Sequence, residues 1–111
     1  MTQDSLSELM SRLRRDYLGE IPARLQDLRR TASEWMAGRE PEPPLETLFH
    51  RLAGSAGAYG FTDVSAICRA AERYVGTGLA RSAETAARLE AAIRGVEEAF
   101  ARGPTGPDIT A

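Results

Sequence analysis

The chain has no lysine. All fourteen of its basic residues are arginine, which we read as compositional bias rather than mechanism. Cysteine is nearly absent as well. Cys68 stands alone, which excludes an intrachain disulfide and any cysteine-based metal cluster. No apolar run approaches the length of a membrane span, and the opening stretch MTQDSLSELMSRLRRD has no signal-peptide pattern. A net charge of −2 offers little attraction to nucleic acid or to an anionic membrane. The arginines of RLRRD and RLQDLRR are diluted by neighbouring acids and read as a solvated face. These absences lead us to expect a soluble, cytoplasmic protein whose partners are neither nucleic acid nor membrane. Histidine is as scarce as cysteine, and His50 is the only one.

What is present is helical. The 111 residues, 42% of them apolar, suffice for one small domain with one core. No internal repeat and no strand-like alternation appear. Five helical segments are predicted. Ser5 and Glu8 form a capping-box pair ahead of Leu6, Leu9, Met10 and Leu13. Gly19 and Pro22 interrupt that pattern. A second helix runs from Pro22 to Met36, with Leu25, Leu28, Ala32 and Trp35 on one stripe. GREPEPP, residues 38–44, is a loop, and Pro44 suits the first turn of a third helix. That helix carries Leu45, Leu48, Phe49, Leu52, Ala56 and Tyr59, and Gly60 ends it. Thr62 or Asp63 caps a fourth, which carries Val64, Ile67, Cys68, Ala71 and Val75 and closes at Gly76 and Gly78. Ser82 caps the last, with Ala86, Leu89, Ile93, Val96 and Phe100 inward. Trp35, Cys68 and Tyr74 read as core. The expected fold is an all-α, antiparallel up-and-down four-helix bundle with an additional N-terminal helix. The domain spans 1–102, and 103–111 is expected to be a frayed tail. A monomer is expected, since one bundle can bury its own apolar stripes.

His50 sits oddly within this pattern. On a wheel with Leu45 at zero, the third helix's core residues fall within about 60°. His50 falls near 140°, Gly54 near 180° and Gly57 near 120°. The imidazole therefore faces away from the core, with two glycines one and two turns beyond it. Each glycine costs about 1 kcal/mol against alanine in a helix interior. Both clear a strip on which another molecule can approach the backbone closely. A bare strip beside an exposed nucleophile suits a bulky partner better than a small molecule in a pocket. With no serine or cysteine partner evident, a hydrolase is a poor fit. A carboxylate on the other ring nitrogen would fix the tautomer, and Glu72 on the next helix is the candidate. Gly57 reads equally well as a tight helix crossing or as a docking position.

The stretch FHRLAGSAGAYGFTDVSAICRAAE resembles the histidine phosphotransfer (HPt) domain of two-component phosphorelays. His50, Gly54, Ser55, Ala56, Gly57, Gly60 and Phe61 fit its motif. YLGEIPARLQDLRR resembles the helix that precedes the motif, and AERYVGTG the end of the one that follows. The resemblance covers residues 5–101. It implies that His50 accepts a phosphoryl group and that Glu72 supports it. Thr47, Ala53, Gly54 and Gly57 would line the docking surface for response-regulator receiver domains. A hybrid histidine kinase is an implied partner. The receiver would supply the magnesium ion, so neither a cofactor nor a metal is expected on this chain. With no ATP-binding site, the chain would be a phosphocarrier and not an enzyme. One residue departs from the pattern. The family usually has lysine, sometimes arginine, three residues after the histidine, and this chain has Ala53. Arg51 or Arg69 would then supply the charge, although Arg51 lies about 100° round the helix from His50. The departure keeps open a second reading, a helical module that docks a receiver without phosphotransfer.

Overall fold

The structure, a computed structural model, describes residues 3–105. Among these the chain forms four helices and no strand: α1 (Gln3–Met36), α2 (Leu45–Ala58), α3 (Thr62–Val75) and α4 (Ala83–Arg102).

The two segments expected before the GREPEPP loop are one helix, so the separate N-terminal helix is corrected. Pro22 lies inside α1. The reason is packing. Tyr17, Ile21, Leu25, Leu28 and Ala32 form a buried stripe that continues through the proline, while Gly19 and Pro22 both face solvent. Proline removes one helical hydrogen bond, to the carbonyl of Leu18. Burial on either side of it outweighs that loss and overrides the local propensity. Ser5 likewise lies inside α1, not ahead of it. At about 1.5 Å per residue the helix is roughly 51 Å long, which accounts for the molecule's 53 Å long axis. Its first turns outrun the bundle, and Leu6 and Leu13 there are exposed.

The other helices pack along α1 and one another. The Tyr17 hydroxyl lies 2.8 Å from Ser55 Oγ, joining α1 to α2. Arg29 on α1 pairs with Glu97 on α4, and Arg102 on α4 with Asp63 on α3. Phe49, Leu52, Ala56, Val64, Cys68, Ile93 and Val96 fill the centre. Burial pushes the Cys68 thiol up to about 12, so it stays protonated and serves as a small core residue. Trp35 and Tyr74 are only partly buried. Arginines cover their outer faces, Arg81 at 4.6 Å from the Trp35 ring centroid and Arg88 at 5.5 Å from that of Tyr74.

The reversal between α2 and α3 has a defined chemistry. Gly60 adopts φ +86°, a left-handed conformation that glycine takes without a Cβ penalty. The Phe61 amide then donates to the Ala56 carbonyl at 2.9 Å, and the Gly60 amide to that of Gly57 at 3.1 Å. This is the Schellman pattern, with its accompanying apolar contact available from buried Phe61 and Ala56. Phe61, not Thr62 or Asp63, stands at the start of α3, and no side chain caps it. The anchor there is aromatic. Phe61 packs on Phe100 at 5.1 Å between centroids, and Tyr17 stacks on Tyr59 at 4.5 Å. Ser82 does cap α4, accepting from the Thr85 amide at 3.2 Å. Of the expected tail, residues 103–105 are described, and the Thr105 amide donates to the Gly60 carbonyl at 2.9 Å. Residues 106–111 lie outside the described part.

An exposed interior proline costs a helix about 3 kcal/mol. Part of this is offset because proline also stiffens the unfolded chain by about 0.4–1 kcal/mol. Pro22→Ala is therefore expected to stabilise the protein by about 2 kcal/mol and to raise Tm on the order of 10 °C. Thermal unfolding followed by circular dichroism reads this directly, and an unchanged or lowered Tm contradicts a continuous α1.

Candidate functional site

His50 lies in the second turn of α2, and its side chain is 69% exposed. The ring is nevertheless held. Nδ1 lies 3.0 Å from Glu72 Oε1 on α3. An ionised carboxylate only accepts hydrogen bonds, so Nδ1 is the donor. In the neutral ring Nε2 then carries no proton, and its lone pair is available. The Glu72 side chain is 32% exposed. The arrangement offers a tautomerically fixed nucleophilic nitrogen on an open surface.

Two contacts fix how α3 lies against α2. Glu72 meets His50. A Cβ on Gly57 would stand 3.3 Å from Ser65 Oγ. Seven residues forward on α2 match seven back on α3, so the two helices run antiparallel. Gly57 thus belongs to a tight helix crossing, although it remains exposed on its outer side. Gly54 differs. A Cβ there would meet nothing within 4 Å, so no internal packing demands glycine at that position.

The remaining candidates fall on either side of this axis. Thr47 is half-buried near the start of α2. Ala53 is only 2% exposed, which corrects its assignment to the docking surface. It lies about 80° from Leu45 on the wheel, and close packing at that border draws its methyl into the core. Arg69 is exposed, and its Nε donates to Ser65 Oγ at 3.3 Å. In the same register Arg69 stands level with Ala53. Arg51 is exposed on the other flank of α2, where it lines the cleft toward α1 with Arg24, Asp27 and Leu48. The structure thus brings Glu72 to His50, sets Arg69 on the α3 side and places Arg51 on the α1 side. Sequence reasoning missed Ser65, whose hydroxyl meets both Gly57 and Arg69. Its spacing of three residues from Cys68 on a helix stripe was the available signal. Among the described residues no group of three acidic, histidine or cysteine side chains is placed to hold a metal ion. Among the described residues no helix is long and apolar enough to cross a membrane.

A model of the Hpt domain family matches residues 12–101. The chain belongs to this family. Histidine phosphotransfer in phosphorelays is the activity of Hpt domains, and they work as phosphocarriers with receiver domains and kinases. No curated protein and no solved structure matches the chain significantly.

The carboxylate on Nδ1 makes a readable claim about this Hpt domain. In the native protein, 15N NMR of His50 at a pH where the ring is neutral should give one protonated nitrogen, Nδ1, and one unprotonated, Nε2. Glu72→Ala should yield averaged shifts typical of mixed tautomers. Identical spectra for the two proteins would show that Glu72 does not set the tautomer.

Proposed function

We propose that this protein carries a phosphoryl group on His50 between aspartates of two response-regulator receiver domains. The observation that carries the reading is the His50–Glu72 pair on an open surface, with the bare Gly54 position in the next turn. Nε2 attacks the phosphorus of a receiver's aspartyl phosphate in line. The N–P bond forms as the P–O bond to the aspartate breaks, and the aspartate leaves as a carboxylate with the bonding electron pair. The ring keeps its Nδ1 proton and becomes cationic, and Glu72 faces that charge. The second receiver reverses the step. Its carboxylate attacks the phosphorus, and Nε2 recovers its lone pair.

Such a transfer depends mostly on positioning and charge neutralisation. The receiver brings the magnesium ion, so this reading requires no cofactor on the chain. A hybrid histidine kinase is the fitting source of phosphate, and the cytoplasm the fitting compartment. One bundle buries its own apolar stripes, so we assign a monomer. The glycine at position 54 lets a receiver's backbone come close to α2, in keeping with an imidazole that is 69% exposed.

Incubation with a phosphorylated receiver tests the reading. Wild type should acquire an acid-labile, base-stable label, and His50→Gln should acquire none. Stable complexes with no label on either protein would instead identify a module that docks without transfer. Gly54 supplies a second test. Gly54→Ala should stabilise the fold by about 1 kcal/mol, because nothing opposes its methyl and alanine favours the helix. Gly54→Gln should fold as well but slow transfer by about tenfold or more, by holding the receiver off the nucleophile. Unimpaired transfer in Gly54→Gln would remove the close-approach role.

A further inference from the structure

The register that joins His50 to Glu72 also sets an acid one turn away. Glu46 stands four residues before His50 on α2 and about 40° from it on the wheel. Gly76, just past the end of α3, stands four residues beyond Glu72. These two positions meet as well, for a Cβ on Gly76 would come 3.6 Å from Glu46 Oε2. The Glu46 carboxylate thus lies over the groove between α2 and α3, on the same side as the His50–Glu72 pair. Side chains on a helix tilt toward its N-terminus. The imidazole therefore leans over the turn that holds Glu46, and residues four apart on a helix stand about 6 Å from each other.

Nothing inside the molecule accounts for a carboxylate at that place. Glu46 is exposed, and among the described residues its carboxylate makes neither an ion pair nor a hydrogen bond. The first turn of α2 suits an acid, but this carboxylate lies at the C-terminal end of α3, where the helix dipole disfavours one. In the cleft it borders, Arg39 and Arg81 are matched by Glu40 and Glu42, which leaves Glu46 as the excess charge. The cations nearer His50 do not reach it. Arg51 lies in the α1 cleft with Asp27. Arg69 is tied to Ser65, on the far side of Glu72 from Gly76. Arg73 is exposed and pairs with neither Glu46 nor Glu72.

A phosphoryl group on Nε2 would bring about −1.5 to −2 charges to this turn. Glu72 faces the positive charge that the ring then carries, and Glu46 faces the phosphoryl group. We propose that Glu46 opposes the phosphoryl group on His50 and so biases the exchange toward the phosphorylated receiver. When a receiver's carboxylate attacks, the N–P bond breaks and the P–O bond forms. The electron pair returns to Nε2, and the like-charge contact is relieved. Phosphorylation of His50 has to make that same contact. Glu46 takes no proton and forms no bond in either direction; it acts through its field alone. Between exposed charges about 6–8 Å apart, screened by salt, such repulsion changes an equilibrium constant about twofold to fivefold. The inference rests on the proposed function, since it takes His50 as the phosphoryl carrier.

The experiment uses the full chain and the separately expressed receiver domains of the source organism. Label is followed from a phosphorylated receiver to its plateau, with both proteins dilute enough to be mostly unbound. The share of label on each then reports the exchange equilibrium of the free proteins, which neither docking affinity nor fold stability alters. Glu46→Gln should move that equilibrium about twofold to fivefold toward phosphohistidine, and Glu46→Lys should move it further. Glu46→Asp, which keeps the charge, should stay closer to wild type than Glu46→Gln does. Glu98→Gln removes an exposed charge from α4 and should leave the equilibrium unchanged. Added salt should shrink the difference between wild type and Glu46→Gln. An unchanged or reversed equilibrium in Glu46→Gln and Glu46→Lys overturns the role of Glu46 and leaves the carrier reading intact. An equal shift in Glu98→Gln also overturns it, by giving the effect to net charge. If no receiver labels the wild type, the proposed function fails and this inference with it.

Discussion

The left-handed turn at Gly60 decides where the functional groups meet. Once the chain reverses through that single residue, α3 cannot slide along α2 without breaking the bonds from Phe61 and Gly60 back to Ala56 and Gly57. A shift of one residue would carry Glu72 about 100° round its helix and away from the imidazole. The close approach of Ser65 to Gly57 locks the same register a turn further on. The aromatic group of Tyr17, Tyr59, Phe61 and Phe100 then packs the turn against α1 and α4. The chemistry at His50 therefore depends on a reversal ten residues away from it in the chain.

Much of this was legible in the sequence because the signals involved are local. Apolar spacing marks the buried faces of α2, α3 and α4, since a helix presents the same face every three to four residues. Ser82 and Gly60 mark boundaries through chemistry that acts within one turn. His50 was legible for the opposite reason, as a polar residue off the stripe and beside glycines. Glu72 was readable as a candidate because a short turn implies an antiparallel neighbour, and the family resemblance pointed to the same residue.

What was not legible depended on contacts distant in sequence. Pro22 reads as a stop because propensity describes an isolated helix. In the fold it sits on the solvent side of a stripe already committed on both flanks, so the lost hydrogen bond faces water and α1 runs on. Ala53 reads as a surface residue by its place after the histidine, yet how far α3 covers α2 determines its burial. Thr62 and Asp63 are good capping residues, but the buried Phe61 ring sets the entry to α3 and leaves the side-chain cap unused. In each case packing across the bundle outweighed a local preference, about 3 kcal/mol at the proline and about 1 kcal/mol at a cap.

The two glycines after His50 show how stability and function separate on one helix face. Gly57 is accounted for within the molecule, because a side chain there would crowd Ser65, 3.3 Å from the Cβ. Gly54 has no such reason. Nothing occupies the space a methyl would enter, and alanine would make the helix more stable. A domain of this size has only a few kilocalories in hand, so a loss that no internal contact explains points outside the molecule. The buried side of α2 carries the packing, and its outer side is free to stay bare. On that outer side the ring is oriented from the flank by Glu72 and left uncovered above. The proposed transfer between two receiver domains needs a nucleophile in that position. Enclosing it in a pocket would strengthen its electrostatics for one partner while closing it to the other.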